Sequence, residues 1–179
     1  TELVAVEHKG GWKFVDEHNP EAADHGGLPV FRTVQRAANF WGFEVEALWH
    51  LHEAPGSQFD VRFTADFVRA KEGGRPLPRL PEARAGVGLL WASAAWTFGV
   101  DYLHAFPQRQ VAAHETNSDG YRLLGANVSR ALKFGAVEAE AFLRATNLAN
   151  REARPHTSFL KDLAPLPGRS VAAGVRFSF

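Results

Sequence analysis

The chain of 179 residues contains no cysteine and no methionine. Without cysteine there are no disulfides, no zinc–thiolate sites and no thiol nucleophile. Without methionine, not even an initiator, the chain is expected to start after processing or to be a piece of something longer. Net charge is also lacking: 20 Lys and Arg balance 20 Asp and Glu. Phosphate backbones are bound through a basic excess, so nucleic acid is not the expected partner. No apolar run reaches the about 18 residues of a membrane helix, and no signal peptide is visible. Helical membrane spans are thereby excluded. A membrane β-barrel is not, because its strands need only about 9–11 alternating residues each. Catalytic motifs are missing as well: there is no Gly-rich phosphate loop after a strand, no G-x-S-x-G and no H-E-x-x-H. No enzymatic activity is expected.

What the chain does have is a period of two. Phe59, Val61, Phe63, Ala65 and Phe67 share one phase, and Asp60, Arg62, Thr64 and Asp66 the other. Side chains alternate across a strand, so this segment has one apolar and one polar face. Val171, Ala173, Val175, Phe177 and Phe179 repeat the pattern, as do the segments 43–49, 96–102 and 137–143. Over these five segments the apolar phase has 22 positions and no charge, while the 17 interleaved positions carry nine: Glu44, Glu46, Asp60, Arg62, Asp66, Asp101, Glu138, Glu140 and Arg176. A soluble sandwich also alternates, with its apolar phase in a core. Two features favour the membrane barrel. Aromatics (Phe43, Trp49, Phe67, Trp96, Tyr102, Phe179) sit near segment ends, as an interfacial girdle requires. A charge facing mid-bilayer costs about 2–4 kcal/mol, so a phase without charge is expected there.

Nine strands are expected: Leu3–His8, a short piece near Trp12–Val15, Val34–Leu51, Gln58–Ala70, Ala83–Trp91, Ala95–Phe106, Gly120–Ala131, Gly135–Leu148 and Ser170–Phe179. Connections alternate in length. Those at 9–11, 52–57, 92–94 and 132–134 are short; those at 16–33, 71–82, 107–119 and 149–169 are long and hold most of the Pro, His and Asn. Short turns on one rim and long loops on the other is the outer-membrane barrel habit. An odd number of antiparallel strands cannot close without a parallel pair, so either a strand is missing from the count or the chain is part of a larger barrel.

The C-terminal region carries a resemblance. Ala141-Phe-Leu-Arg-Ala-Thr-Asn-Leu-Ala-Asn-Arg-Glu152 leads into a sixteen-residue stretch, Arg154-Pro-His-Thr-Ser-Phe-Leu-Lys-Asp-Leu-Ala-Pro-Leu-Pro-Gly-Arg169, and then the strand Ser170–Phe179. The first segment resembles the penultimate strand and "N-L-x-N/D-x-E" turn of TonB-dependent outer-membrane receptors. The stretch after it is similar to the last extracellular loop of their zinc- and haem-associated subgroup. Upstream, Asp24-His-Gly-Gly-Leu-Pro-Val-Phe31, Leu77-Pro-Arg-Leu-Pro-Glu-Ala-Arg84 and His114-Glu-Thr-Asn-Ser-Asp-Gly-Tyr121 resemble further motifs of the family, in family order.

The resemblance implies an all-β fold: an antiparallel transmembrane β-barrel, of which residues 1–179 form the C-terminal strands of a larger, 22-stranded barrel, with periplasmic turns and extracellular loops. It implies an outer-membrane receptor of a Gram-negative bacterium that imports a metal ion or metal complex, zinc first and haem or siderophore next, as transported ligand and not as prosthetic group. Outer-membrane lipid and lipopolysaccharide would surround it. Its own plug domain and TonB would engage through upstream segments. The barrel assembly machinery would read the strand ending at Phe179. The family's plug and TonB-contact segment have no counterpart here. The charged phase would line the lumen and meet the plug. A small closed barrel, acting as adhesin or anchor, is the alternative, and a soluble β-sandwich binding module a third reading.

Candidate metal ligands lie in the long loops. Asp16, Glu17 and His18, with Asp24 and His25, put two imidazoles and three carboxylates within ten residues. Imidazole plus carboxylate suits zinc, and a mobile outer loop suits capture. His114 and Glu115 lie on another loop of the same side. The metal set is thus His18, Asp24, His25, His114 and Glu115, with a solvated polar loop as the plainer reading. His156, inside the Pro-rich loop, is expected to be structural. His50 and His52 form an H-x-H pair whose rings would share a face, with rim histidines in water the plainer reading.

Overall fold

The computed structural model describes residues 2–6, 11–18, 31–113, 115–135 and 137–178, and their side chains except at 2–6, 11–18, 31–34 and 36. Among the described residues ten strands form one antiparallel sheet: β1 (Glu2–Val6), β2 (Gly11–His18), β3 (Phe31–Ala54), β4 (Ser57–Glu72), β5 (Arg75–Pro76), β6 (Arg84–Ser93), β7 (Trp96–Ala105), β8 (Tyr121–Phe134), β9 (Val137–Thr146) and β10 (Ser170–Ser178). Their lateral order is β1-β3-β4-β6-β7-β8-β9-β10, a meander from β3 onward in which only the short β5 is passed over.

The odd strand count resolves in the register. The 24-residue β3 pairs with β2 along 31–38 and with β1 along 44–48. The two short strands therefore lie end to end on one edge of β3 and occupy one lateral position. β5 is a two-residue flap paired with the end of β4. Eight lateral positions remain. Among the described residues β1 and β10 are the two ends of the sheet and no contact joins them. The small closed barrel would require that pair.

Turn chemistry explains the hairpins. Pro55-Gly56 links β3 to β4, with Gly56 at φ +76°, in the Pro-Gly order a type II turn favours. Gly73 and Gly74, both at positive φ, link β4 to β5 as a type I′ turn requires. Ala94-Ala95 links β6 to β7, with the Ser93 hydroxyl accepting from the Trp96 amide at 3.0 Å. Two residues, 135 and 136, link β8 to β9. The 132–134 stretch, expected as a turn, extends β8 instead, because Leu132, Lys133 and Phe134 all find partners on β9. The turns at 55–56, 94–95 and 135–136 lie on one rim, and the Gly73-Gly74 turn lies on the other. The connections 77–83, 106–120 and 147–169 lie on that other rim as well.

The two faces differ as the alternation demands. Directly opposed residues share a face, and the register joins Val45–Ala65–Ala85, Phe63–Val87–Tyr102, Leu89–Val100–Ala126 and Val128–Leu143–Ala173 into apolar rows. No second sheet covers them among the described residues. Trp41, Phe43, Trp49, Phe98, Leu143, Val175 and Phe177 are all exposed by more than two fifths. A sandwich would bury this face, so the soluble two-sheet reading fails. Aromatic clusters sit toward both ends: Trp41, Phe43 and Phe67 at the loop rim, and Trp91, Trp96 and Phe98 at the turn rim.

The opposite face carries the charges, which pair sideways. Arg84 clasps Asp66 with Nε at 3.0 Å and Nη2 at 2.8 Å from Oδ1. Arg176 meets Glu140 at 3.2 Å and Lys133 meets Glu138 at 2.9 Å. Arg62 on β4 reaches Asp101 on β7 at 3.5 Å across Gly88 of the intervening β6. Most buried apolar residues lie where loops fold over this face: Ala38, Ala70, Leu77 and Leu80 in one cluster, and Ala105, Tyr121 and Ala153 in another; Val61 and Ala139 are buried between their neighbours on the apolar face.

Candidate functional site

Three long connections converge on the charged side of the loop rim. Their local conformations are set by small polar residues. Asn147 and Asn150 both adopt φ +48°, a left-handed conformation that Asn tolerates better than most residues. The Asn147 carboxamide accepts from the Arg151 amide at 2.8 Å and donates to the Arg151 carbonyl at 2.8 Å and the Pro167 carbonyl at 3.3 Å. The Asn150 carbonyl oxygen of the side chain accepts from the Arg169 amide at 3.0 Å. The N-L-x-N motif thus staples both ends of the 147–169 loop to each other.

His156 is the hub of the convergence and is 1 % exposed. Its Nδ1 lies 2.8 Å from the Ser118 hydroxyl, its Nε2 lies 3.6 Å from Glu115 Oε2, and its backbone amide donates to Glu82 Oε2 at 3.0 Å. Glu82 Oε1 accepts from the Tyr121 hydroxyl at 2.8 Å. Gln108 donates to the Leu80 and Pro81 carbonyls and exchanges backbone bonds with Ser118. Lys161, largely buried, donates to the Thr116 carbonyl at 2.9 Å, and the Thr116 hydroxyl donates to Asp162 at 2.7 Å. No buried side-chain polar atom among the described residues lacks a partner. The structural role expected of His156 is what its contacts provide.

Of the five candidate metal ligands, only Glu115 has a described side chain. Asp24, His25 and His114 lie outside the described residues. His18 ends β2 opposite Phe31, and its backbone alone is described. Glu115 accepts from the Arg79 amide at 2.7 Å and the Ala112 amide at 3.0 Å. Burial pushes its carboxyl up, but the neighbouring His156 ring and the two amides outweigh this and hold it below the usual carboxylate range. Among the described residues no three His, Asp or Glu side chains gather at metal-binding distance.

The H-x-H pair departs from its expectation. A bulge at Leu51 shifts the register, so His50 opposes Asp60 and His52 opposes Phe59. Successive partners on β4 face opposite ways, which places the two histidines on different faces. His50 Nδ1 sits 2.9 Å from Asp60 Oδ1. A bulge leaves no mark in a two-residue spacing. Glu82 carries no motif of its own, although its place in Leu77-Pro-Arg-Leu-Pro-Glu-Ala, two positions ahead of β6, marks a carboxylate at a loop-to-strand junction.

No family model matches the chain. The chain is similar in structure to the copper transporter OprC, with a TM-score of 0.71 and 18% identity, over 100% of this chain and 29% of that one. It therefore spans less than a third of that protein's length. At this identity the likeness concerns the fold, and it agrees with the open apolar face and the sorted rims: the chain has the all-β, antiparallel fold of an outer-membrane barrel wall.

Proposed function

We propose that the chain is the C-terminal wall of a TonB-dependent outer-membrane receptor in a Gram-negative bacterium, and that the whole protein imports a metal ion or metal complex. The observation that carries this reading is the continuous apolar face of a single sheet that no second layer covers among the described residues. In water such a face would be an aggregation surface; against acyl chains it is the required exterior. The opposite, charged face would line the lumen. There Arg62–Asp101, Arg84–Asp66 and Arg176–Glu140 keep the wall neutral in pairs, which suits contact with a plug domain of the same protein.

For the cargo, His18, Asp24, His25, His114 and Glu115 would act at the loop rim. Imidazole with carboxylate suits zinc, the first candidate, with haem or siderophore next; imidazole also serves copper, which the fold neighbour's name brings in. The chain would supply capture and a wall, and no bond chemistry. The test is uptake of radioactive zinc and copper by cells carrying the full-length protein with His18→Ala, Asp24→Ala and His25→Ala. The proposal expects uptake of one metal to fall severalfold with the protein still in the outer membrane. Unchanged uptake of both would remove this loop from the site.

A further inference from the structure

The outward apolar face holds one feature that metal import does not use. Its charges are confined to the rims. At the loop rim they are all basic or imidazole: Arg69 and Lys71 on β4, His104 on β7, Arg122 on β8 and Arg169 just before β10. No carboxylate shares this face among residues with described side chains. His104 and Arg122 are direct cross-strand partners, so their Cβ atoms lie about 4.5–5.5 Å apart. Arg122 is exposed and no carboxylate pairs with it among the described residues. The His104 ring packs edge-on against Phe106 at 4.4 Å.

Beside this pair the face is indented. Ala65 and Ala85, in the same cross-strand row as His104 and Arg122, form the floor of a groove of about 580 Å³ flanked by Phe63, Tyr102 and Phe106, with His104 and Arg122 at one end of the row. An apolar trough closed at one end by a cation and an imidazole matches an acyl chain ending in an anionic headgroup. A guanidinium forks onto phosphate oxygens, and an imidazole N–H adds a third donor. We propose that this groove seats a lipid carrying a phosphomonoester headgroup, its phosphate on Arg122 and His104 and one acyl chain over Ala65 and Ala85. A second copy of this chain fits less well, because it would bring its own basic rim against this one.

The inference rests on the outward face being in lipid, and the experiment separates the two. The full-length protein is purified in a non-ionic detergent and mixed with dioleoylphosphatidic acid or dioleoylphosphatidylcholine, and retained lipid is counted by native mass spectrometry. Inorganic phosphate serves as competitor. Wild-type protein is expected to retain phosphatidic acid in preference to phosphatidylcholine. Arg122→Gln is expected to weaken that retention about tenfold, as loss of one charge-assisted contact does. His104→Asn is the second variant, expected to weaken it by a smaller factor, with free phosphate competing poorly. Equal retention of both lipids, or undiminished retention by both variants with native circular dichroism, overturns the lipid site while leaving the membrane reading intact. A protein that stays monomeric and folded without detergent overturns both.

Discussion

Glu82 and Tyr121, 39 residues apart, meet through a 2.8 Å hydrogen bond from the phenol to a buried carboxylate whose other oxygen holds the His156 amide. One side chain thereby ties the connection before β6 to the first residue of β8 and to the last long loop. Replacing Glu82 with Ala leaves a buried hydroxyl and a buried amide without an acceptor, at about 1–3 kcal/mol each. Glu82→Ala is expected to expose the 147–169 loop to protease at temperatures where wild type resists, whereas Tyr121→Phe, which removes one bond and leaves the amide satisfied, is expected to be milder. Limited proteolysis with mass-spectrometric mapping checks the order of the two.

A second latch on the same rim titrates. The Thr116 hydroxyl, opposed slightly by burial and helped by Lys161, holds the Asp162 carboxyl below the ordinary range. A depressed folded value means that its stabilisation is complete above the unfolded value of about 3.9 and is lost as pH falls through the folded one. Asp162 is exposed, so the effect is small and weakens with salt. Protection from hydrogen exchange in 158–164, corrected for the intrinsic rate at each pH, is expected to fall as the pH drops below the carboxylate range, and Asp162→Asn is expected to flatten that dependence.

Two glycines on the charged face make opposite demands. A Cβ at Gly42 would sit 2.2 Å from the Phe67 carbonyl oxygen, a backbone atom that cannot step aside without parting β3 from β4. A Cβ at Gly88 would meet Asp101 Oδ1 at 3.1 Å and the Arg62 Nε at 3.6 Å, both ends of flexible side chains. Gly42→Ala is expected to cost about 1–3 kcal/mol, as overpacking does, and Gly88→Ala well under 1 kcal/mol, since it displaces only an exposed ion pair. Denaturant unfolding in detergent separates the two.

Much of this architecture was legible in residue order because it is local. The alternation of 59–67 and 171–177 names their faces, and the short connections at 52–57 and 92–94 name one rim, whereas the Gly73-Gly74 turn lay hidden inside the long 71–82 connection. The motif resemblance located the junctions at Arg84, Tyr121 and Asn147. Features that depend on distant partners were not legible. The Leu51 bulge exists only relative to β4, and the shared position of β1 and β2 only relative to β3. The hub at His156 joins Glu82, 74 positions away, through contacts that no spacing encodes. The candidate metal set was readable as residue types, but of its members only Glu115 has a described side chain, and that carboxylate is engaged by backbone amides.

Because the chain has no cysteine, single cysteines along β8 can carry a nitroxide label without background from this region, and they test most directly which medium touches the apolar face. The full-length protein in lipid vesicles is labelled in turn at positions 126 to 131, and collision rates with lipid-soluble oxygen and with a water-soluble nickel complex are compared. An apolar face in lipid gives a period of two, with oxygen favoured at Ala126, Val128 and Arg130 and the nickel complex favoured at Asn127, Ser129 and Ala131. Labels at 126 and 128 that are immobilised and shielded from both reagents would place a packed protein interior, not acyl chains, against this face.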